Sequence, residues 1–292
     1  MMGQKEVVQS LFQNRIGILA TMHKKEEVIS PILEKELEIK IIVPEGFDTD
    51  KFGTFTGDVE RTGGQFEAAR RKAEGAMALY GETMAIASEG TFGPHPFVPF
   101  IPFNREVVLL VDKENDIEIS GIATTTETDF KHKVVNSFTE AYEFSLSVGF
   151  PETGMVVKLS EHSKDSSEMI KGITTKEELE KAVMFALGKS TNSEVFLETD
   201  MRALYNPKRM KNIEAATRDL VKNIRSLCPN CEWPGFKATE RKKGLLCEWC
   251  KQPTELTLSY QYSCNKCGHN EEKLYPNGIE QADPGSCQYC NP

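Results

Sequence analysis

The last 65 residues hold all eight cysteines of the chain, as four Cys-x-x-Cys pairs: Cys228/Cys231, Cys247/Cys250, Cys264/Cys267 and Cys287/Cys290. Two sulfurs on one tight turn reach a common metal at about 2.3 Å, and four such pairs supply two closed tetrahedral sites. The pattern predicts two structural Zn²⁺ ions. Gaps of 15, 13 and 19 residues separate the pairs, each long enough for a short hairpin between knuckles, as in zinc ribbons. A disulfide framework is the competing reading, but it belongs to secreted chains. The longest apolar run near the N-terminus, Ile16–Ala20, is too short for a signal peptide. The expectation is therefore zinc in a reducing, cytoplasmic compartment. Gly268 and Asn291, each following a second cysteine, suit the positive-φ position that closes a knuckle, whereas Glu232 and Lys251 predict less regular turns. Sequential sharing of the metals, first pair with second and third with fourth, is expected. Residues 256–263 read as a strand entering Cys264, and alternate sharing would thread that strand between the sites.

Upstream, other residue types could do chemistry. Residues 20–26, Ala-Thr-Met-His-Lys-Lys-Glu, join a strand to a helix start, where free N–H groups and the helix dipole favour a phosphate, with Lys24 or Lys25 as counter-charge. An exposed connecting loop is the competing reading. Around an alanine-rich helix lie Asp58, Glu60 and Arg61, then Glu67, Arg70, Arg71 and Lys72, then Ser88-Glu89-Gly90 after the next strand. Glu67 and Arg71 have the spacing of a surface ion pair. Lys72 borders the packed helix face. Glu89 ends an apolar strand, at the edge where open α/β sheets bind ligands; it reads as a Mg²⁺ ligand or a base, or as a cap for the next segment. Residues 90–103 hold four prolines and four phenylalanines, a stiff apolar flap. Phe92 or Phe97 could stack on a flat base and His95 contact its edge, or the loop could seal the core.

The elements needed to position these groups are legible from periodicity. Strands are expected at 15–21, 39–43, 83–88, 106–111, 117–125, 155–159 and 195–197, and helices over 28–37, 65–80, 134–147, 175–187 and 207–225. That alternation predicts a three-layer α/β domain with a mixed sheet over residues 1–225, followed by a double zinc-ribbon module over 226–292. Hydrophobic residues make up 39% of the 292, charged residues 27%, and no stretch approaches the ~20 apolar residues of a membrane span. Net charge is -9, and residues 226–292 carry seven Lys/Arg against eight Asp/Glu, so nucleic acid is not the default partner. The local exception is Lys237, Arg241, Lys242 and Lys243, read as a charged hairpin loop.

In order along the chain, these segments resemble the inosine triphosphatase-like group, the Maf and non-standard-purine nucleoside triphosphate pyrophosphatases. Thr21 with Lys25 and Glu26 is similar to the opening phosphate-binding turn, with His23 where those enzymes commonly have Asn. Glu60, and Glu67 with Lys72 on the helix, are similar to the residues facing triphosphate and Mg²⁺. Ser88-Glu89-Gly90 matches their acidic turn, and only Arg202 is kept of a late nucleotide-contacting turn. The resemblance implies cleavage between the α and β phosphates. Mg²⁺ would sit on Glu60 and Glu89, with Lys25, Lys72 and Arg202 stabilising the spread charge. The whole chain, tail included, is similar to an uncharacterised bacterial family with no assigned reaction. Two further readings stay open. One is a non-catalytic sensor of a nucleotide or other phosphorylated small molecule, whose ribbons dock a protein; the other is a nucleic-acid grip through the basic ribbon residues.

Overall fold

The first apolar run, Ile16–Ala20, is almost wholly buried and forms β1 of a sheet, flanked on both sides by strands that follow it in sequence. The computed structural model describes residues 4–44, 64–163 and 165–292. Its five-stranded mixed sheet has the order β2-β1-β3-β4-β5, with β2 (Lys40–Ile42), β3 (Met84–Pro94), β4 (Pro102–Asp112) and β5 (Ile117–Thr125). The pairs β2/β1 and β1/β3 are parallel; β3, β4 and β5 form an antiparallel meander. Helix α2 (Glu26–Leu37) connects β1 to β2, and α3 (Gln65–Tyr80) precedes β3. These two crossovers move in opposite directions along the sheet, so right-handed connections put α2 and α3 on opposite faces. Small side chains let α3 lie close: Ala69, Ala73 and Ala76 meet Ala20, Ala85, Ala87 and Leu109 in one core.

Helix α6 (Pro207–Arg225) covers the other face with a stripe at helical spacing, Arg209, Ile213, Ala216 and Leu220, each at most 2% exposed. Its approach to β5 requires a glycine: a Cβ on Gly121 would lie 2.1 Å from the Ala216 carbonyl and the Leu220 nitrogen. The mixed sheet thus lies between helix layers, as expected from sequence.

A second sheet, not separated from the first in the sequence reading, is antiparallel with order β6-β9-β7-β8. It contains β6 (His132–Val135), β7 (Met155–Lys158), β8 (Met169–Ile173) and β9 (Val195–Thr199), with α4 (Phe138–Ser147) and α5 (Lys176–Lys189) packed on one face. The helix expected over 134–147 is thereby corrected. Its first residues pair with β9, and the helix starts only after Ser137, whose hydroxyl caps the Glu140 N–H. Residues 90–103 are also corrected: β3 and β4 pair as far as Pro94 and Pro102, so the flap is the end of a long hairpin.

The chain divides into two compact units, Phe12–Val221 and a second made of Met1–Leu11 with Lys222–Pro292. The second includes most of α1 (Gln4–Phe12) and the three-stranded antiparallel sheet β10 (Lys237–Lys243), β11 (Thr257–Ser263) and β12 (Asn270–Leu274). Lys237, Arg241, Lys242 and Lys243 therefore lie on a strand rather than a loop. Lys242 pairs with Glu272 at 3.2 Å and Lys243 with Glu255, while Arg241 donates to the Thr257 hydroxyl and the Glu255 carbonyl. Among the described residues no helix is long and apolar enough to cross a membrane.

Candidate metal centres and a buried charge cluster

The eight cysteines form two groups: Cys228, Cys231, Cys264 and Cys267, and Cys247, Cys250, Cys287 and Cys290. Within each, all four sulfurs lie within 4.8 Å of one another. Cross-pair separations are 3.7 Å (Cys228–Cys267), 3.6 Å (Cys231–Cys264), 3.9 Å (Cys247–Cys290) and 3.6 Å (Cys250–Cys287). The edge of a tetrahedron with Zn–S bonds of about 2.3 Å is about 3.8 Å. A disulfide would require about 2.05 Å. The donor sets thus fit zinc, and each group could hold one ion.

The sharing is alternate, first pair with third and second with fourth, which overturns the sequential expectation. The cause is the meander. Each gap contains one strand rather than a hairpin, and a seven-residue strand carries the chain about 23 Å from its starting knuckle. Consecutive knuckles therefore fall at opposite ends of the sheet, and β11 links the sites as the central strand of one cross-braced module.

The knuckles are also more uniform than their sequences suggest. In each, the N–H following the second cysteine donates to the carbonyl of the first: Glu232 to Cys228, Lys251 to Cys247, Gly268 to Cys264 and Asn291 to Cys287. Glu232 and Lys251 take φ of 59° without being glycine, whereas Asn291 is not in the left-handed region. Thiols this close ionise unequally without a cation. Burial drives Cys231 up to about 12, while Cys267, receiving the Asn230 amide and the His269 N–H, falls to about 6. Zinc would supply the missing positive charge.

In the larger unit, five charged residues, each no more than 7% exposed, meet at the carboxyl end of β1: Lys25, Lys72, Glu89, Glu106 and Arg209. Ser88-Glu89-Gly90 organises them from both faces of β3. The Ser88 hydroxyl lies 3.1 Å from Lys25 Nζ. Glu89 points to the α3 face and takes Lys72 Nζ at 2.5 Å. Gly90 leaves room for Glu106, directly opposite on β4. Glu106 Oε1 accepts from Arg209 Nε at 2.9 Å and from the Asn104 amide at 3.0 Å, and its buried Oε2 has no hydrogen-bond partner among the described residues. Arg209 Nη1 also donates to the Met201 carbonyl, and its guanidinium lies 5.4 Å from the Phe92 ring centre. Gln65, at the start of α3, donates to the Glu89 and Arg105 carbonyls and ties that helix end to the hairpin. Lys25 is lowered to about 7, first by burial and then by Arg209, with Glu89 and Glu106 opposing.

Several candidates from the sequence lie elsewhere. Thr21 is buried beside this loop, its hydroxyl donating to the Met22 carbonyl, and His23 has a left-handed backbone, φ 66°. Lys24 is exposed and 3.7 Å from Glu27. Glu67 faces solvent, 3.9 Å from Arg71. The Arg202 guanidinium is held by Asp200 and lies over Tyr205, so it does not join the cluster. Asp58, Glu60 and Arg61 lie outside the described residues. Among those described, the side-chain groups arranged to hold a metal are the two cysteine sets, which leaves Mg²⁺ without a described site.

Phe97 and Phe100 at the tip of the flap are 88% and 96% exposed, and His95 Nδ1 accepts the Phe97 and Val98 N–H groups, bracing the turn. Phe92 packs on Phe130. The exposed tip does not seal the core.

Glu106 and Arg209 were not singled out from sequence. The signal was there as polar residues in phase with buried ones, Glu106 with Val108 and Leu110 along a strand and Arg209 with Ile213, Ala216 and Leu220 along a helix.

Residues 72–292 match the model of a family described as Domain of unknown function (DUF6671). The chain belongs to that family. No curated protein matches it. The DUF6671 match takes in all eight cysteines and four of the five buried charges, Lys72, Glu89, Glu106 and Arg209; Lys25 lies before it.

Proposed function

We propose that the larger unit binds the phosphate chain of a nucleoside triphosphate at the Lys25–Lys72–Arg209 locus and releases pyrophosphate from it. The observation carrying this reading is the composition of the buried cluster at the carboxyl end of β1. Among the described residues it holds three cations against two carboxylates, with one Glu106 oxygen left over as an acceptor. A ligand bearing both an anion and a hydroxyl donor complements that arrangement, and a nucleotide bears both. The resemblance to the house-cleaning pyrophosphatases points to the same ligand class. In the reaction, water attacks the α phosphorus, the bond to the β-phosphate oxygen breaks, and a nucleoside monophosphate and pyrophosphate leave. Lys25, Lys72 and Arg209 stabilise the charge spread over the phosphates, and Glu89, once Lys72 turns to the ligand, receives the proton of the attacking water. Magnesium enters on the oxygens of the nucleotide itself.

A second reading is binding without turnover. It is favoured by the Lys72–Glu89 pair, in which the carboxylate is engaged and 4% exposed rather than facing water. In both readings the cysteine module is structural, since four-thiolate zinc sites have no open position for substrate. Trp249 and Tyr289, 75% and 60% exposed inside the second and fourth knuckles, suit a protein partner. The ribbon lysines already paired with acids argue against nucleic acid.

The test uses zinc-replete full-length protein with inosine, xanthosine and standard nucleoside triphosphates and Mg²⁺ or Mn²⁺, scored by thermal shift and pyrophosphate release. Release supports hydrolysis. A shift without release supports sensing, and neither response removes both readings.

A further inference from the structure

The buried cations of the charge cluster are unequally served by its carboxylates. Lys72 has Glu89 at 2.5 Å and Arg209 has Glu106 at 2.9 Å. Among the described residues, Lys25 Nζ has only Ser88 as a hydrogen-bond partner, its hydroxyl at 3.1 Å and its carbonyl at 3.4 Å, both uncharged. The charged groups facing Lys25 come from four elements: Glu89 on β3, Glu106 on β4, Lys72 on α3 and Arg209 on α6. Two attract its ammonium and two repel it, and each attracting group already has a nearer cation. On its own segment, the exposed Lys24 is turned to Glu27.

An enclosed ammonium with neutral partners is poorly stabilised, which agrees with the lowering of Lys25 to about 7. An anion placed against it reverses the balance, because the opposite charge within a few ångströms favours the protonated form. We propose that this site takes up its anionic ligand together with one proton, and that Lys25 carries that proton. The inference rests on the phosphate-binding reading above and adds to it a coupling between pH and affinity. Ser88 Oγ holds the amine in place in the free protein, and the ligand phosphate replaces the missing counter-charge in the complex.

The test is calorimetric titration of the full-length protein with inosine triphosphate at pH 8, in two buffers of different ionisation enthalpy. The ligand's own phosphate ionises at about pH 6 and is fully charged at the pH of the titration. Binding is expected with uptake of about 0.9 proton, since a group titrating near 7 is about nine-tenths deprotonated at pH 8. Dissociation constants are expected to rise about tenfold per pH unit between about pH 7.5 and 9. Lys25→Arg, which stays charged throughout, is expected to bind without proton uptake. ¹⁵N NMR of the lysine amines gives a second readout on wild-type protein: one lysine titrating near neutrality, and protonated at pH 8 when ligand is added. Binding with no proton uptake overturns the inference and leaves the phosphate-binding reading standing, and uptake that persists in Lys25→Arg overturns the assignment to Lys25. Absence of any binding overturns both.

Discussion

Gly90 and Glu106 face each other on the β3/β4 ladder so closely that a Cβ at Gly90 would stand 2.3 Å from Glu106 Oε1. The carboxylate cannot yield cheaply, because Arg209 and Asn104 both hold that oxygen. Gly90→Ala should therefore push Glu106 off a fully buried arginine, at a cost of about 3 kcal/mol. Urea denaturation reads the loss directly. A midpoint within error of wild type would mean that the hairpin shifts instead and that Glu106 is not fixed.

Lys72 and Glu89 share the same neighbourhood from the opposite sheet face. Removing either partner takes the nearest opposite charge from a group with 8% or 4% side-chain exposure. Lys72→Met and Glu89→Leu should each lose about 3–5 kcal/mol. The double variant should lose well under the sum, since it removes both charges of the pair, with a coupling above about 1 kcal/mol. Additive losses in the double-mutant cycle would show that the two side chains act independently.

Lys25 makes a prediction of opposite sign. Its native value near 7 lies below the usual lysine value of 10.5, so between these limits the unfolded chain binds more protons than the folded one. Stability therefore rises with pH across that window, by at most about 1.4 kcal/mol per unit, and the full burden is present below pH 7. Lys25→Met should stabilise the protein at pH 7 and remove this part of the slope between pH 7 and 9. Equal slopes for the two proteins in guanidinium denaturation would refute it. A side chain kept at a cost to folding is the pattern of a functional site.

These positions mark where the sequence was legible and where it was not. Helices α3 and α6 were bounded correctly from alanine spacing and from Pro207, because each presents one apolar stripe to one sheet. The outer part of the β3/β4 hairpin, residues 90–103, was read as a stiff loop because of its four prolines, Pro94 and Pro102 among them. Both stand at the outer end of the ladder, where a proline is tolerated. Lys25, Lys72 and Glu89 were found because each sits beside a recognisable turn or helix start. Glu106, at the head of an apolar strand, and Arg209, between the lysines at the start of α6, lie 103 residues apart, and only the layering of α6 on the sheet brings them together. The second sheet was missed for a similar reason: β7 and β9 read as strands, but nothing local says which sheet a strand joins.

At the far end of the mixed sheet, Arg15 clamps Asp112 with contacts of 2.5 and 2.8 Å. Burial pushes the Asp112 carboxyl up, but the hydrogen bonds from Arg15 and Asn115 outweigh it and hold the group below the usual aspartate value. A depressed native value means that this stabilisation is complete above about pH 4 and is lost as pH falls through the native value. Asp112→Asn should cost about 2 kcal/mol at neutral pH and progressively less in acid. Parallel pH–stability curves for variant and wild type down to pH 2 would contradict the assignment.

Alternate zinc sharing can be tested by counting metal. Replacing Cys228 and Cys264 together damages one site if the pairs alternate, so the protein should retain about one zinc per chain, since the second four-thiolate set is untouched. Replacing Cys228 and Cys247 damages both sites, and zinc should fall toward none. Sequential sharing predicts the reverse for each double variant, one ion kept by Cys228/Cys247 and none by Cys228/Cys264. Elemental analysis of chelator-washed protein therefore separates the two topologies without further structural information. The same proteins show what the metal contributes. Each four-thiolate site joins two knuckles that are 33 or more residues apart in sequence, held together across a sheet with few buried apolar residues. Loss of one ion should release one end of the β10-β11-β12 sheet, and loss of both should unfold the module. Proteolysis would then cut between residues 226 and 292 first, whereas a module still resistant without zinc would show that its strands stand on their own.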